Sequence, residues 1–230
     1  MSPVLRIVRQ PASPARQAAT LLVLLPGAHM TPEHFLDAGF AATLAARGCD
    51  ADLALPAMDF ARLSDGSALP ALHEEIILPA RRDGYRQVWL GGISLGAFSA
   101  LDYMASHAGP IDGLCLLAPY PGSRISLGEI AAAGGLAAWQ PRPEQFSDAD
   151  FRIWHWLKTP PAALPIHLAF GSDDRFAAGM RQMADALPSA TVEQHLPGGH
   201  DWPVWQTLWE RFLDRKPFAP ISCPAPGIPA

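Results

Sequence analysis

Cysteine is scarce in this chain: Cys49, Cys115 and Cys223 are an odd number at long spacings, with no C-x-x-C pair. That excludes a disulfide framework and a cysteine-built zinc site. A basic stripe is also missing. The 17 Lys and Arg are scattered among 22 Asp and Glu, for a net charge of -5, so nothing here would neutralise a run of phosphates, and nucleic acid is not expected as a partner. No stretch reaches the roughly 18 apolar residues that span a bilayer, so no membrane partner is expected either. The N-terminal MSPVLRIVRQPASPAR breaks every apolar stretch with arginine. It therefore lacks the continuous core of a signal peptide, and a reduced, cytoplasmic setting is the expectation. His34, His73, His107, His155, His167 and His195 stand singly rather than at H-x-x-x-H or H-E-x-x-H spacing, so no metal is implied. Gly91-Gly92 and Gly198-Gly199 match neither G-x-G-x-x-G nor a P-loop, so no nucleotide cofactor is implied.

What is present is a strict alternation of strand and helix signals. Thr20 to Leu25 is continuously apolar, as in a strand buried on both faces. Val4 to Arg9 suits a short edge strand, and Ala51 to Leu55 another strand ended by Pro56. Thr31-Pro32-Glu33 opens a helix that should run to about Arg47, closed by Gly48. A helical stretch follows over about Ser67 to Arg82, then strands at Val88 to Leu90, Leu114 to Ala118, Ile166 to Phe170 and Thr191 to Leu196. Helices are expected between the later strands and from Pro203 to about Arg215. This order predicts one α/β domain over residues 1–216, a mostly parallel sheet with helices on both faces. The rhythm stops over about 120–165, an excursion off the sheet, and the proline-rich 217–230 reads as a loosely attached tail.

The chain turns on Arg86 to Ala100, RQVWLGGISLGAFSA. A buried strand ends in Gly92-Ile93-Ser94-Leu95-Gly96 and passes straight into helix-compatible residues, the strand-turn-helix context that a G-x-S-x-G motif needs. A serine hydroxyl is a poor nucleophile at neutral pH, so it is useful only beside a base that a third group orients. Two later loops supply candidates just past strand ends, Gly171-Ser172-Asp173-Asp174 and Gly198-Gly199-His200-Asp201. The carboxyl ends of parallel strands share one edge, where ligand sites form.

With an elbow serine, an acid and a histidine in that order, the chain resembles the α/β-hydrolase fold proteins over about Thr20 to Arg215. The resemblance implies Ser94 as nucleophile, His200 as general base and then acid, and Asp174 as the group that orients the imidazole. Asp174 is favoured over Asp173 because the family's acid usually stands third after the glycine in G-x-x-D. It further implies an oxyanion hole from the Leu95 amide and a second amide, at Ala28 or His29, from the loop Pro26-Gly27-Ala28-His29. The family's loop often begins His-Gly, whereas here the glycine is kept and the histidine is not. The implied activity is hydrolysis of a carboxylic ester or thioester through an acyl-enzyme, without a cofactor. The substrate would be a small-molecule ester or an acyl thioester, the latter admitting an acyl carrier as partner. An acyltransferase on the same triad, or a non-catalytic protein binding a small ligand, are the alternatives.

In that family the insertion at 120–165 would be a cap over the serine. Its aromatic residues either form the cap's own core or line a substrate pocket. The second reading places Trp139 and Phe146, with Met30 and Met58, around a small to medium acyl group. Arg124, Arg142 and Arg175 are ordinary surface arginines or contacts for a substrate anion.

Overall fold

The structure, a computed structural model, describes residues 5–64, 67–107, 109–187 and 192–218. Strand β1 (Ile7–Gln10) is followed by β2 (Thr20–Leu25), α1 (Pro32–Asp37), α2 (Phe40–Ala46) and β3 (Ala51–Pro56). Next come α3 (Phe60–Ser64), α4 (Ala68–Leu72), a π-helical turn (His73–Ile77), α5 (Leu78–Arg82), β4 (Gln87–Ile93), α6 (Leu95–Ser106) and β5 (Gly113–Leu117). The cap holds α7 (Arg124–Ala132), a 3-10 turn (Pro143–Ser147) and α8 (Ala149–Trp156). The sheet then resumes with β6 (Ile166–Gly171), α9 (Ala177–Ala186), β7 (Val192–Leu196) and α10 (Trp202–Asp214).

The described residues form a seven-stranded sheet in the order β1-β3-β2-β4-β5-β6-β7. Only β1 runs antiparallel, pairing Ile7 with Pro56, while Leu22 of β2 stands beside Leu53 on one side and Trp89 on the other. Every residue of β2, β3, β5 and β6 is buried, which requires cover on both faces. From β2 the chain first goes outward to β3, then returns to place β4 on β2's other side. The order therefore reverses between β2 and β4, and the loop after β2 opens a crevice beside the elbow after β4.

Two expectations change in detail. The helix expected from Pro32 to Arg47 is two helices, because Gly39 adopts φ 78° between them, a turn that costs glycine nothing. The tail expected from Pro217 begins docked: Phe218 is buried, its ring 5.4 Å from Trp89 and 5.7 Å from Phe212. Residues 219–230 lie outside the described residues. Among the described residues no helix is long and apolar enough to cross a membrane.

Inside the core, His167 of β6 is 4% exposed, packs on Phe212, and neither ring nitrogen has a hydrogen-bond partner. Burial first, and the Arg215 charge second, push its pKa down to about 4 from 6.5. The unfolded chain thus binds the proton more readily than the fold. Stability is complete above pH 6.5 and falls as the pH drops towards 4, by at most about 3 kcal/mol, then levels off. Urea unfolding of His167→Leu across pH 7.5 to 4 is expected to lack this component. A slope identical to that of the native chain would assign the acid sensitivity to other groups.

Candidate active site

Strand β4 ends where glycine is a steric necessity. A Cβ on Gly92 would lie 2.5 Å from the Leu25 carbonyl oxygen, and one on Gly96 would lie 2.1 Å from the same atom. Strand β2 and the start of α6 are that close. Between the two glycines Ser94 takes φ 55° and ψ -114°, a strained backbone worth roughly 1–3 kcal/mol. Hydrogen bonds on both sides hold it. The Ser94 amide donates to the Leu117 carbonyl (3.0 Å), and its carbonyl accepts from the amides of Phe98 (3.0 Å) and Tyr120 (3.1 Å).

The serine hydroxyl Oγ stands 2.9 Å from His200 Nε2, and His200 Nδ1 stands 2.5 Å from Asp174 Oδ2. The His200 ring meets Phe176 edge-on at 5.4 Å and Trp205 edge-on at 5.1 Å, so it is held from two sides. Asp201 caps α10 through the Val204 amide. The neighbouring Asp173 turns away from the imidazole, where its Oδ2 accepts from the Gly198 amide at 2.9 Å and its amide donates to the Gly198 carbonyl at 3.0 Å. It ties the histidine loop to the acid loop, while Asp174 faces the imidazole and also accepts from the Phe176 amide.

The loop after β2 closes as a turn, with the Met30 amide donating to the Gly27 carbonyl at 3.1 Å and His29 at φ 61°. Leu95 is the first residue of α6, so its amide has no acceptor within the helix and sits at the positive end of the helix dipole.

A cavity of about 370 Å³ opens over Ser94, lined by Ala28, Leu95, Phe98, Tyr120, Phe176 and Arg175, with Asp148 to Asp150 of the cap. Of the residues expected around it, Ala28 and Leu95 line it, and His29, Met30, Met58, Trp139 and Phe146 do not. Met30 and Met58 border a different cavity of about 480 Å³ with His29, and the Met30 sulfur accepts from the Gly27 amide at 3.3 Å. Trp139 is buried on Phe151, ring centres 6.1 Å apart, in the cap's own core. Phe146 is half-exposed and packs edge-on against His155. The apolar side chains of the cap were needed to hold it together, which is why its aromatic richness did not mark the pocket. The missed residues had a weaker signal: Phe98 is four residues after Ser94 and shares its helix face, and Phe176 follows the acid by two. Arg142 bonds Glu144 and is not among the lining residues. Among the described residues no group of three His, Cys, Asp or Glu could hold a metal ion.

No family model matches this chain, and no curated protein matches it in sequence. Solved structures do. Est1E from Butyrivibrio proteoclasticus superposes with a TM-score of 0.65 at 14% identity, over 92% of this chain and 94% of that one. An S-formylglutathione hydrolase from Agrobacterium tumefaciens gives 0.65 at 12% identity, over 92% and 88%. The Paleococcus ferrophilus monoacylglycerol lipase gives 0.62 at 13%, over 92% and 97%. The chain has the α/β-hydrolase fold. Within that α/β-hydrolase fold, the elbow at Ser94 follows β4 and the loops of Asp174 and His200 follow β6 and β7, all at the carboxyl edge of the sheet with β5 between β4 and β6, and residues 148–150 of the cap line the cavity beside Ser94.

Proposed function

We propose that this chain is a serine hydrolase that cleaves a carboxylic ester or thioester through an acyl-enzyme on Ser94. The observation that carries the proposal is the unbroken chain of hydrogen bonds from Ser94 Oγ through His200 to Asp174. His200 Nε2 takes the hydroxyl proton as Oγ attacks the carbonyl carbon, and Asp174 keeps the proton on Nδ1 and stabilises the imidazolium. The oxygen of the tetrahedral intermediate collects negative charge and is met by the Leu95 amide and by that of Ala28 or His29, each worth roughly 3 kcal/mol. His200 then gives its proton to the leaving alkoxide or thiolate. Water repeats the sequence on the acyl-enzyme, releasing the acid and restoring Ser94. The cavity volume of about 370 Å³ suits a small to medium acyl group, and the likeness to esterases and a lipase agrees with ester chemistry. The sparse cysteines fit a reduced, cytoplasmic setting.

Intact mass after treatment with a fluorophosphonate is the test. One adduct is expected on the native chain and none on Ser94→Ala or His200→Ala, with turnover of short p-nitrophenyl esters lost in the same two variants. A folded native chain that takes up no reagent would sink the proposal.

A further inference from the structure

Two hydrogen bonds hold the His200 imidazole by its nitrogens, Nε2 with Ser94 Oγ at 2.9 Å and Nδ1 with Asp174 Oδ2 at 2.5 Å. Bonds at the two nitrogens fix the ends of the ring and leave it a rocking motion about the line between them. Only contacts on its sides remove that freedom. Two rings make them, both nearly perpendicular to the imidazole: Phe176 at 84° and Trp205 at 88°.

The two sides differ in how firmly they are backed. Trp205 is 5% exposed and meets Trp202 edge-on at 5.2 Å, and Trp202 in turn meets the buried rings of Phe35 and Phe40. That side belongs to the close-packed core, where a ring has little room to move. Phe176 is half-buried. Its backbone is well anchored at the start of α9, because its amide donates to Asp174 Oδ1 at 2.9 Å, so the carboxylate that meets the imidazole also fixes the Phe176 main chain. Its ring is less confined. Tyr120 meets it edge-on at 5.4 Å, and the guanidinium above it belongs to the exposed Arg175. Of the two rings that flank His200, Phe176 alone lines the cavity over Ser94.

A ring packed on some sides and bordering a cavity on another lacks dispersion contacts there and is held less tightly than one in the core. An acyl chain long enough to reach Phe176 supplies those contacts. The binding energy of that chain, remote from the reacting carbonyl, would then be spent on orienting the base, and energy spent in that way raises kcat rather than lowering KM.

We propose that Phe176 is a positioning residue that couples the acyl cavity to the base: an acyl chain beside Ser94 braces Phe176, and Phe176 braces His200 against Trp205. The favoured acyl group is therefore one that reaches the ring, in preference to acetyl. This deepens the hydrolase reading above and rests on it.

Steady-state kinetics on p-nitrophenyl acetate and p-nitrophenyl butyrate test it, with kcat expressed per site that takes up a fluorophosphonate, so that only competent molecules are counted. The two esters share a leaving group, and the longer is not the more reactive in water. In the native chain kcat is expected to be about fivefold or more higher on butyrate than on acetate. Phe176→Leu should bring the two kcat values within about twofold of each other. Phe98→Leu is the matched control, since Phe98 lines the same cavity and its ring meets Tyr120 rather than His200. It should raise KM for butyrate and keep the kcat difference. Trp205→Phe shortens the rigid side, and is expected to lower kcat on both esters by a similar factor of about three or more. A native chain that separates the esters by KM alone would overturn the proposal, as would a kcat difference that survives in Phe176→Leu, one lost equally in Phe98→Leu, or an unchanged kcat in Trp205→Phe. Turnover of both esters without the kcat difference would retire the coupling and keep the hydrolase reading. A folded native chain that takes up no fluorophosphonate and turns over neither ester would retire both.

Discussion

Asp174→Asn is expected to lower kcat on a short ester by about ten-thousand-fold with KM little changed, the magnitude known for the equivalent change in a serine protease triad. The cause is the tautomer. With a carboxylate on Nδ1, the imidazole carries its proton there and leaves Nε2 free to accept from Ser94 Oγ, 2.9 Å away. An asparagine can turn its NH2 towards Nδ1, which moves the proton to Nε2 and removes the base. Asp173→Asn is the control. Its carboxylate serves only the Gly198 amide, a bond that an amide oxygen also accepts, so kcat should stay within about threefold. Steady-state kinetics on the two variants decide the assignment, and a comparable loss in both would move the orienting role away from Asp174 alone.

Arg152→Ala is expected to destabilise the fold by about 3–5 kcal/mol, a large part of the roughly 5–15 kcal/mol that holds a domain together. Arg152 of α8 gives Nε to Asp102 Oδ1 and Nη2 to Asp102 Oδ2, both at 2.9 Å, and Nη1 to the Phe146 carbonyl at 2.8 Å. The Asp102 side chain is only 3% exposed, so removing its partner leaves a charge buried on α6, the helix that Ser94 precedes. Replacing both partners with apolar residues, Asp102→Leu with Arg152→Met, should recover most of the loss. Urea unfolding measures both. A loss of less than about 1 kcal/mol in the single variant would mean that the pair behaves as an exposed bridge and does not pin the cap. Loosening α8 would also move Asp148 and Asp150 at the cleft, so KM should rise with it.

These two sites were legible to different degrees. Asp174 could be read from its place after a strand and its distance from Gly171, because β4 and β6 are mostly apolar runs with glycine at or near their ends. The Arg152–Asp102 pair joins residues fifty apart, and no local pattern relates them. The cap shows the same limit in a different way. Trp139 and Phe146 were plausible pocket residues from composition, yet Trp139 faces Phe151 and Phe146 faces His155. Which side of a short helical insertion meets the sheet depends on partners distant in the chain.

By itself, the sequence determined the order of strands and helices, the parallel sheet, and the three loops that bear Ser94, Asp174 and His200. The apolar runs of the strands and the G-x-S-x-G pattern are local, written within a few residues, although the atom that the elbow's glycines spare, the Leu25 carbonyl oxygen, lies on β2. The tertiary structure alone decided that Asp173 fastens the histidine loop while Asp174 faces the imidazole, and that the pocket wall is Phe98, Tyr120 and Phe176 rather than the indoles of the cap. It alone brought Asp150 of the cap to the cavity over Ser94. Each of these depends on how separate segments approach one another through long-range packing, and that packing is set by the whole core at once.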